Sequence, residues 1–227
     1  MLDLQNLMLA RKLAGGGSGG GSSSDDIGAG KYLEAKHEEV ILPNATSIKP
    51  YAFYYDTTIK NISMPNVTSI GSYAFNGCRN LALTSLPENL TSIGKDVFRN
   101  CNGLTLTSLP ENLTSIGDSA FISCPNLALT SLPENLTELN TYTFGSCSSL
   151  ALTSLPKNLT SFGSYVFRNC ANLKTITFKS KPKSLNDTIF MECTNLTTIR
   201  VPWKQGELQY SPWGAVNATI EYEYTGE

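Results

Sequence analysis

Charge is scarce in this chain of 227 residues: Asp, Glu, Lys and Arg make up 16%, with a formal net charge of −2, against roughly 25% in an average globular chain. With no basic stripe there is no footprint for a phosphate backbone, so nucleic acid is not an expected partner. Histidine occurs once, as His37, which removes chemistry that needs two imidazoles, from His-rich zinc sites to paired acid/base histidines. There is no Gly-x-Ser-x-Gly elbow and no phosphate loop, so neither an enzyme nor a cofactor site is expected. No apolar run reaches the roughly 18 residues of a membrane-spanning helix, so insertion into a bilayer by helix is not expected either. Hydrophobic residues nevertheless amount to 41%. That is enough for a core, with Ser, Thr and Asn left to cover the surface.

Repetition is the dominant signal. The cysteines fall at Cys78, Cys101, Cys124, Cys147, Cys170 and Cys193, every interval being 23 residues. Phe75, Phe98, Phe121, Phe144, Phe167 and Phe190 each stand three residues before a cysteine, and Phe53 extends the series after a step of 22, with Asp56 in the cysteine position. Leu81, Leu104, Leu127, Leu150, Leu173 and Leu196 follow three residues after the cysteines. A fixed period in this range marks a solenoid, in which each unit buries its apolar face only against its neighbours.

One unit reads Cys-x-x-Leu-x-Leu-Thr-Ser-Leu-Pro-Glu-Asn-Leu-Thr-Ser-Ile-Gly-x-x-Ala/Val-Phe-x-x-Cys. This resembles the leucine-rich repeats of the BspA-like, or treponemal, type, over roughly residues 37 to 202. The resemblance implies a right-handed solenoid with a parallel β-sheet on its concave face and short turns or helical segments on its convex face. The segment around Leu-Pro would supply the strand and Ala-Phe-x-x-Cys the convex turn. Independently, Pro87, Pro110, Pro133 and Pro156 cannot donate to a ladder and so mark strand ends. Gly71, Gly94, Gly117 and Gly163 fall at the bends, and Asn140 replaces that glycine once, which suggests a left-handed backbone there.

Two strand registers compete, and a one-residue slip flips every side chain. Ile59, Ile62 and Met64, with Leu173, Ile176 and Phe178, then Leu196, Ile199 and Val201, give apolar-x-x-apolar-x-apolar in the outer repeats. Superposed on the middle repeats, this favours Leu86, Leu109, Leu132 and Leu155 inward, with Thr84 and its equivalents, and leaves Leu83, Leu106, Leu129 and Leu152 as an outward apolar stripe. The alternative turns that second set inward through a bulge before the proline. In the favoured register the candidate contact residues are Leu83, Ser85, Leu106, Ser108, Leu129, Ser131, Leu152 and Ser154, then Thr175, Thr177, Lys179, Thr198 and Arg200.

Stacked turns place each repeated residue above its own copy. The cysteines then form a column of reduced, buried fillers alongside the phenylalanines, because parallel Cβ vectors suit a disulfide poorly. Glu88, Glu111 and Glu134 read as solvated turns rather than a calcium site, since nothing else supplies the oxygens calcium needs. Asn89, Asn112, Asn135 and Asn158 read as a structural hydrogen-bonded ladder. The many Asn-x-Ser/Thr sequons are mostly by-products of the repeated Asn-Leu-Thr.

The chain divides into a leucine-rich helical segment at 1–14, a Gly/Ser-rich linker at 15–30, about seven repeats at 31–202 and a cap at 203–227. The first segment is expected to attach the chain or to form homo-oligomers, and lacks the layout of a secretory signal. Trp203 and Trp213 are expected to seal the last repeat, with Ala218–Tyr224 as a closing strand; an aromatic carbohydrate platform with Tyr210 is the competing reading. Val201-Pro202-Trp203 and Pro212-Trp213-Gly214-Ala215 resemble endings of leucine-rich proteins from gut bacteria and their prophages. The expected function is a non-enzymatic adhesion module that presents its concave sheet to a protein or cell-surface glycan, on a phage tail or a bacterial surface. The alternative is an intracellular interaction scaffold.

Overall fold

No single repeat can bury its own apolar face, so the fold is generated by stacking. The computed structural model describes residues 26–27, 38–209 and 212–225; the expected helical segment at 1–14 lies outside them. The described residues carry thirteen short strands: β1 (Asp26–Ile27), β2 (Glu39–Ile41), β3 (Ser47–Ile48), β4 (Asn61–Ser63), β5 (Ser69–Ile70), β6 (Ser92–Ile93), β7 (Ser115–Ile116), β8 (Glu138–Leu139), β9 (Ser154–Leu155), β10 (Ser161–Phe162), β11 (Thr175–Phe178), β12 (Thr198–Arg200) and β13 (Thr219–Glu221). All pairings are parallel and in register, residue over equivalent residue.

Two ladders result. One joins β1, β3, β5, β6 and β7, followed by the separate pair β8 and β10; the other pairs β2 with β4, then joins β9, β11, β12 and β13. The second ladder is the leucine-strand face that the resemblance implies.

Between the ladders runs an arc through phenylalanine to cysteine, built of consecutive turns with no helix among the described residues. Its hydrogen bonds alternate. Tyr73, Phe75 and Gly77 donate their N–H groups to Lys95, Val97 and Arg99 of the next turn at 2.8–3.0 Å, while Ala74, Asn76 and Cys78 donate to the residue three back. This geometry needs positive φ two residues before and two residues after the phenylalanine, as at Asp96 (53°), Asn100 (60°), Ser119 (54°) and Ser123 (59°). Small polar residues accept that backbone at least cost.

Inside the arc, Phe53 to Phe190 stack with ring centroids 5.1–5.9 Å apart and planes within 17°. The six thiols are free and buried. Each does more than fill space: Cys101 Sγ donates to Phe75 O at 3.0 Å, Cys124 to Phe98 O at 2.9 Å, and the other four repeat the contact. Asp56, which stands where the first cysteine is missing, accepts from Thr58 N–H, the Thr58 hydroxyl and Ile59 N–H instead.

Stacking explains the glycines differently from the sequence reading. Gly117 has no positive φ. A Cβ there would lie 2.6 Å from Lys95 N and 2.7 Å from Gly94 C, so glycine is required by the close approach of consecutive turns. Asn140 is not left-handed either. Where Gly94, Gly117 and Gly163 donate their N–H to the isoleucine or leucine carbonyl of the preceding turn, Asn140 reaches Ile116 O with its side-chain Nδ2 at 2.8 Å. The ladder is broken at that turn, between β7 and β8.

The favoured register is overturned. Leu83, Leu106, Leu129 and Leu152 are 7%, 0%, 0% and 2% exposed, and Leu86, Leu109, Leu132 and Leu155 are buried as well. Both sets point inward because the middle repeats carry one residue more between their inner leucines: Thr153 and Ser154 lie between Leu152 and Leu155, where Thr177 alone separates Ile176 from Phe178. Register confirms it, with Ser154 opposite Thr177 and Leu155 opposite Phe178. This is a bulge, which adds a residue to one strand and interrupts pairing, repeated in four successive turns. The carboxyl end is closed by Phe178, Trp203 and Trp213, whose rings meet at 5.4–6.1 Å, and by β13.

Candidate binding face

The bulges turn threonine and serine outward together. Thr84, Ser85, Thr107, Ser108, Thr130, Ser131 and Thr153 are exposed and Ser154 is half-buried, which makes a neutral hydroxyl belt across four turns. The predicted contact residues therefore split. The four leucines lie beneath the belt as core, and the serines lie on it. Thr84 and its equivalents, expected inward, face outward.

Beyond the belt, Thr175, Thr177 and Thr198 are half-buried in the ladder. Lys179 and Arg200 are already engaged. Lys179 Nζ meets Glu134 at 2.6 Å, and Glu134 also accepts from Lys157 N–H at 3.0 Å. The Lys179 hydrogen bond, with lesser help from Lys157, holds the Glu134 carboxyl below its ordinary range. Arg200 meets Glu221 at 2.6 Å and lies 5.0 Å from the Tyr224 ring centre. A groove of about 270 Å³ opens where Ile62–Pro65, without a bulge, meet Ser85–Pro87 of the first bulged turn.

The asparagine ladder runs from side chain to backbone: Asn112, Asn135 and Asn158 donate Nδ2 to Glu88, Glu111 and Glu134 carbonyls of the preceding turns at 2.8–3.1 Å. Burial pushes the Cys101 and Cys147 thiols up to about 12 and Cys193 to about 11. These are neutral structural donors at any physiological pH. Trp203 and Trp213 are 4% and 0% exposed, so they serve the cap rather than an aromatic platform.

Exposed aromatic surface lies elsewhere, on the arc near the amino-terminal end. Tyr51, Tyr54 and Tyr55 are 43%, 41% and 49% exposed, and Tyr51 stacks on Tyr73 at 4.8 Å. The sequence reading missed this group. Its signal is tyrosine at 51, 55 and 73, where the next two turns carry Asp96, Asn100, Ser119 and Ser123; tyrosine returns at 142 and 165. Among the described residues no helix is long and apolar enough to cross a membrane.

Six copies of the BspA type leucine rich repeat region match the chain over residues 25–151 and 123–212. No curated protein sequence matches it. Similar solved structures include a leucine-rich repeat protein of T. pallidum, 28% identical over 74% of this chain and 73% of that one, with a TM-score of 0.48. Another, from Bacteroides ovatus, is 19% identical over 81% of this chain and 69% of that one, with a TM-score of 0.47. The pneumococcal vaccine antigen PcpA is 20% identical over 81% of this chain and 41% of its own, also with a TM-score of 0.47. The periodic Phe, Cys and Leu columns and the family match over most of the chain agree: the chain belongs to the BspA-type leucine-rich repeat family.

Proposed function

We propose that this chain is a non-enzymatic adhesion module of a bacterial surface or a phage tail, and that the hydroxyl belt is its contact face for a protein or glycan. The observation that carries the reading is the belt itself: hydroxyls recur on four successive turns at one spacing, with no charge among them. Rungs about 4.8 Å apart suit a partner that also repeats, since each turn offers the same donors and acceptors. The near-identity of the four turns argues against a tailored pocket for a single small molecule.

The belt is outside the core, so it can be altered without unfolding the chain. Placing arginine at Ser108 and Ser131 inserts two bulky charges into a neutral face. Binding of the labelled chain to bacterial cells, followed by flow cytometry, should fall at least tenfold in that double variant. Undiminished binding refutes the belt as the contact face.

A further inference from the structure

We infer that the tyrosine group on the arc is a second binding site, for the ring of a neutral carbohydrate. It does not depend on the hydroxyl-belt reading, because it lies on a different part of each turn.

Tyr51, Tyr54, Tyr55 and Tyr73 form one cluster: Tyr51 stacks on Tyr73, and Tyr54 meets Tyr51, Tyr55 and Tyr73 edge-on at 5.4, 4.6 and 6.4 Å. Their hydroxyls make no hydrogen bond among the described residues. The fold accepts other side chains here: Tyr51, Tyr55 and Tyr73 sit at φ of 61°, 56° and 63°, where a bulky residue is an outlier; Asp96, Asn100, Ser119 and Ser123 fill the same positions in the next two turns, and tyrosine returns at Tyr142 and Tyr165. Tyr55 is accommodated by its neighbour: Gly77, at φ +77°, has no Cβ, and one would lie 2.8 Å from Tyr55 Cδ1. Backbone strain and a glycine thus keep aromatic rings half in water. Asn76, whose backbone bonds both Tyr55 and Tyr73, is 3% exposed and leaves its Oδ1 without a hydrogen-bond partner.

The ligand class follows from size and charge. Four rings over two turns are far less than the roughly 800 Å² per partner of a standard protein interface, and small polar residues separate them from the next tyrosines, Tyr142 and Tyr165, by two turns. Ring faces are electron-rich and apolar, matching the C–H face of a pyranose, and the phenols add hydrogen bonds to its hydroxyls. Asp96, which takes the position of Tyr73 in the next turn, is paired with Arg99 at 3.2 Å. A second tyrosine pair shows the contrast: Tyr142 and Tyr165 stack at 4.7 Å, but Arg168 lies over Tyr165.

The test is calorimetry of the full chain with cellohexaose, chitohexaose and mannohexaose. At least one should bind, and the double variant Tyr54→Ala, Tyr55→Ala should weaken it at least tenfold while the melting temperature holds. Should that variant unfold, the wild-type chain still answers, because bound sugar should protect Tyr54 and Tyr55 from nitration in peptide mass maps. Failure of all three sugars to bind overturns the inference, as does binding that neither the variant nor the nitration pattern registers. The arginine variants at Ser108 and Ser131 should leave sugar binding at the tyrosines unchanged, which separates failure of this site from failure of the belt.

Discussion

Replacing Phe121 by alanine tests whether the aromatic column holds consecutive turns together. Phe121 is fully buried and lies between Phe98 at 5.3 Å and Phe144 at 5.6 Å, nearly parallel to both. Removing a buried phenyl ring costs about 3–5 kcal/mol in lost transfer energy and cavity formation. The two stacked pairs contribute about 0.5–1.5 kcal/mol each beyond burial, so Phe121→Leu, which keeps most of the apolar volume, should lose about 1–3 kcal/mol. Because stability in a solenoid is a sum of repeat and nearest-neighbour contributions, the damage should also be local. Urea unfolding followed by far-UV circular dichroism measures the total. Amide exchange locates it: Phe98 and Phe121, whose N–H groups bond Ala120 O and Thr143 O, should lose protection before Phe190, which bonds Trp213 O. A loss below 1 kcal/mol for Phe121→Ala, or a leucine variant indistinguishable from wild type, refutes the column as a source of cohesion.

Leu106→Glu should unfold the chain, since it forces a carboxylate into a site with no exposure, whereas Ser108→Glu two residues away should melt near wild type; the two melting curves side by side decide the register. Alkaline pH should destabilise the fold. Burial raises the thiols, so the unfolded chain releases their protons from about pH 8.5 while folded Cys101 and Cys147 hold theirs up to about 12; stability is full below that window and falls through it, and Cys124→Ala should flatten the slope of urea midpoint against pH. Finally, deletion of residues 1–24 should lower the solution mass measured by light scattering if that segment assembles copies of the chain, and an unchanged mass sinks that role.

The period was legible because identical residues at 23-residue intervals can only stack, and the phenylalanine, cysteine and leucine columns follow directly. Register was not, because the outer repeats space their inner residues as Ile62-Ser63-Met64 and Ile176-Thr177-Phe178, and the middle ones as Leu83-Thr84-Ser85-Leu86. Counting from conserved spacing hides a bulge that recurs with the same period as everything else. Asn140 misled for a related reason: asparagine for glycine suggests a left-handed backbone, yet the position demanded a donor to Ile116 O across a tight gap. The tyrosine patch is invisible to a reading built on the phenylalanine, cysteine and leucine columns, because Tyr54 and Tyr55 occur in one turn only and tyrosine at 51 and 73 recurs only after a gap, at 142 and 165. Departure from the repeat is where a structural array keeps individual function.

Both ladders are interrupted along the molecule, the Ser–Ile one at Asn140 and the leucine-strand one across the first three bulged turns, between β4 and β9, whereas the arc's hydrogen bonds and the aromatic column run on without a gap. Under a stretching force along its axis the molecule is therefore unequal around its circumference. Tension is carried along the arc, and the opposite faces have slack at known places. Such a stack is expected to open first on the face that carries the hydroxyl belt, where the leucine-strand ladder is interrupted. In the proposed attachment role, pull by flow or by a moving cell would change the spacing of the contact rungs, and grip would depend on load as well as on chemistry.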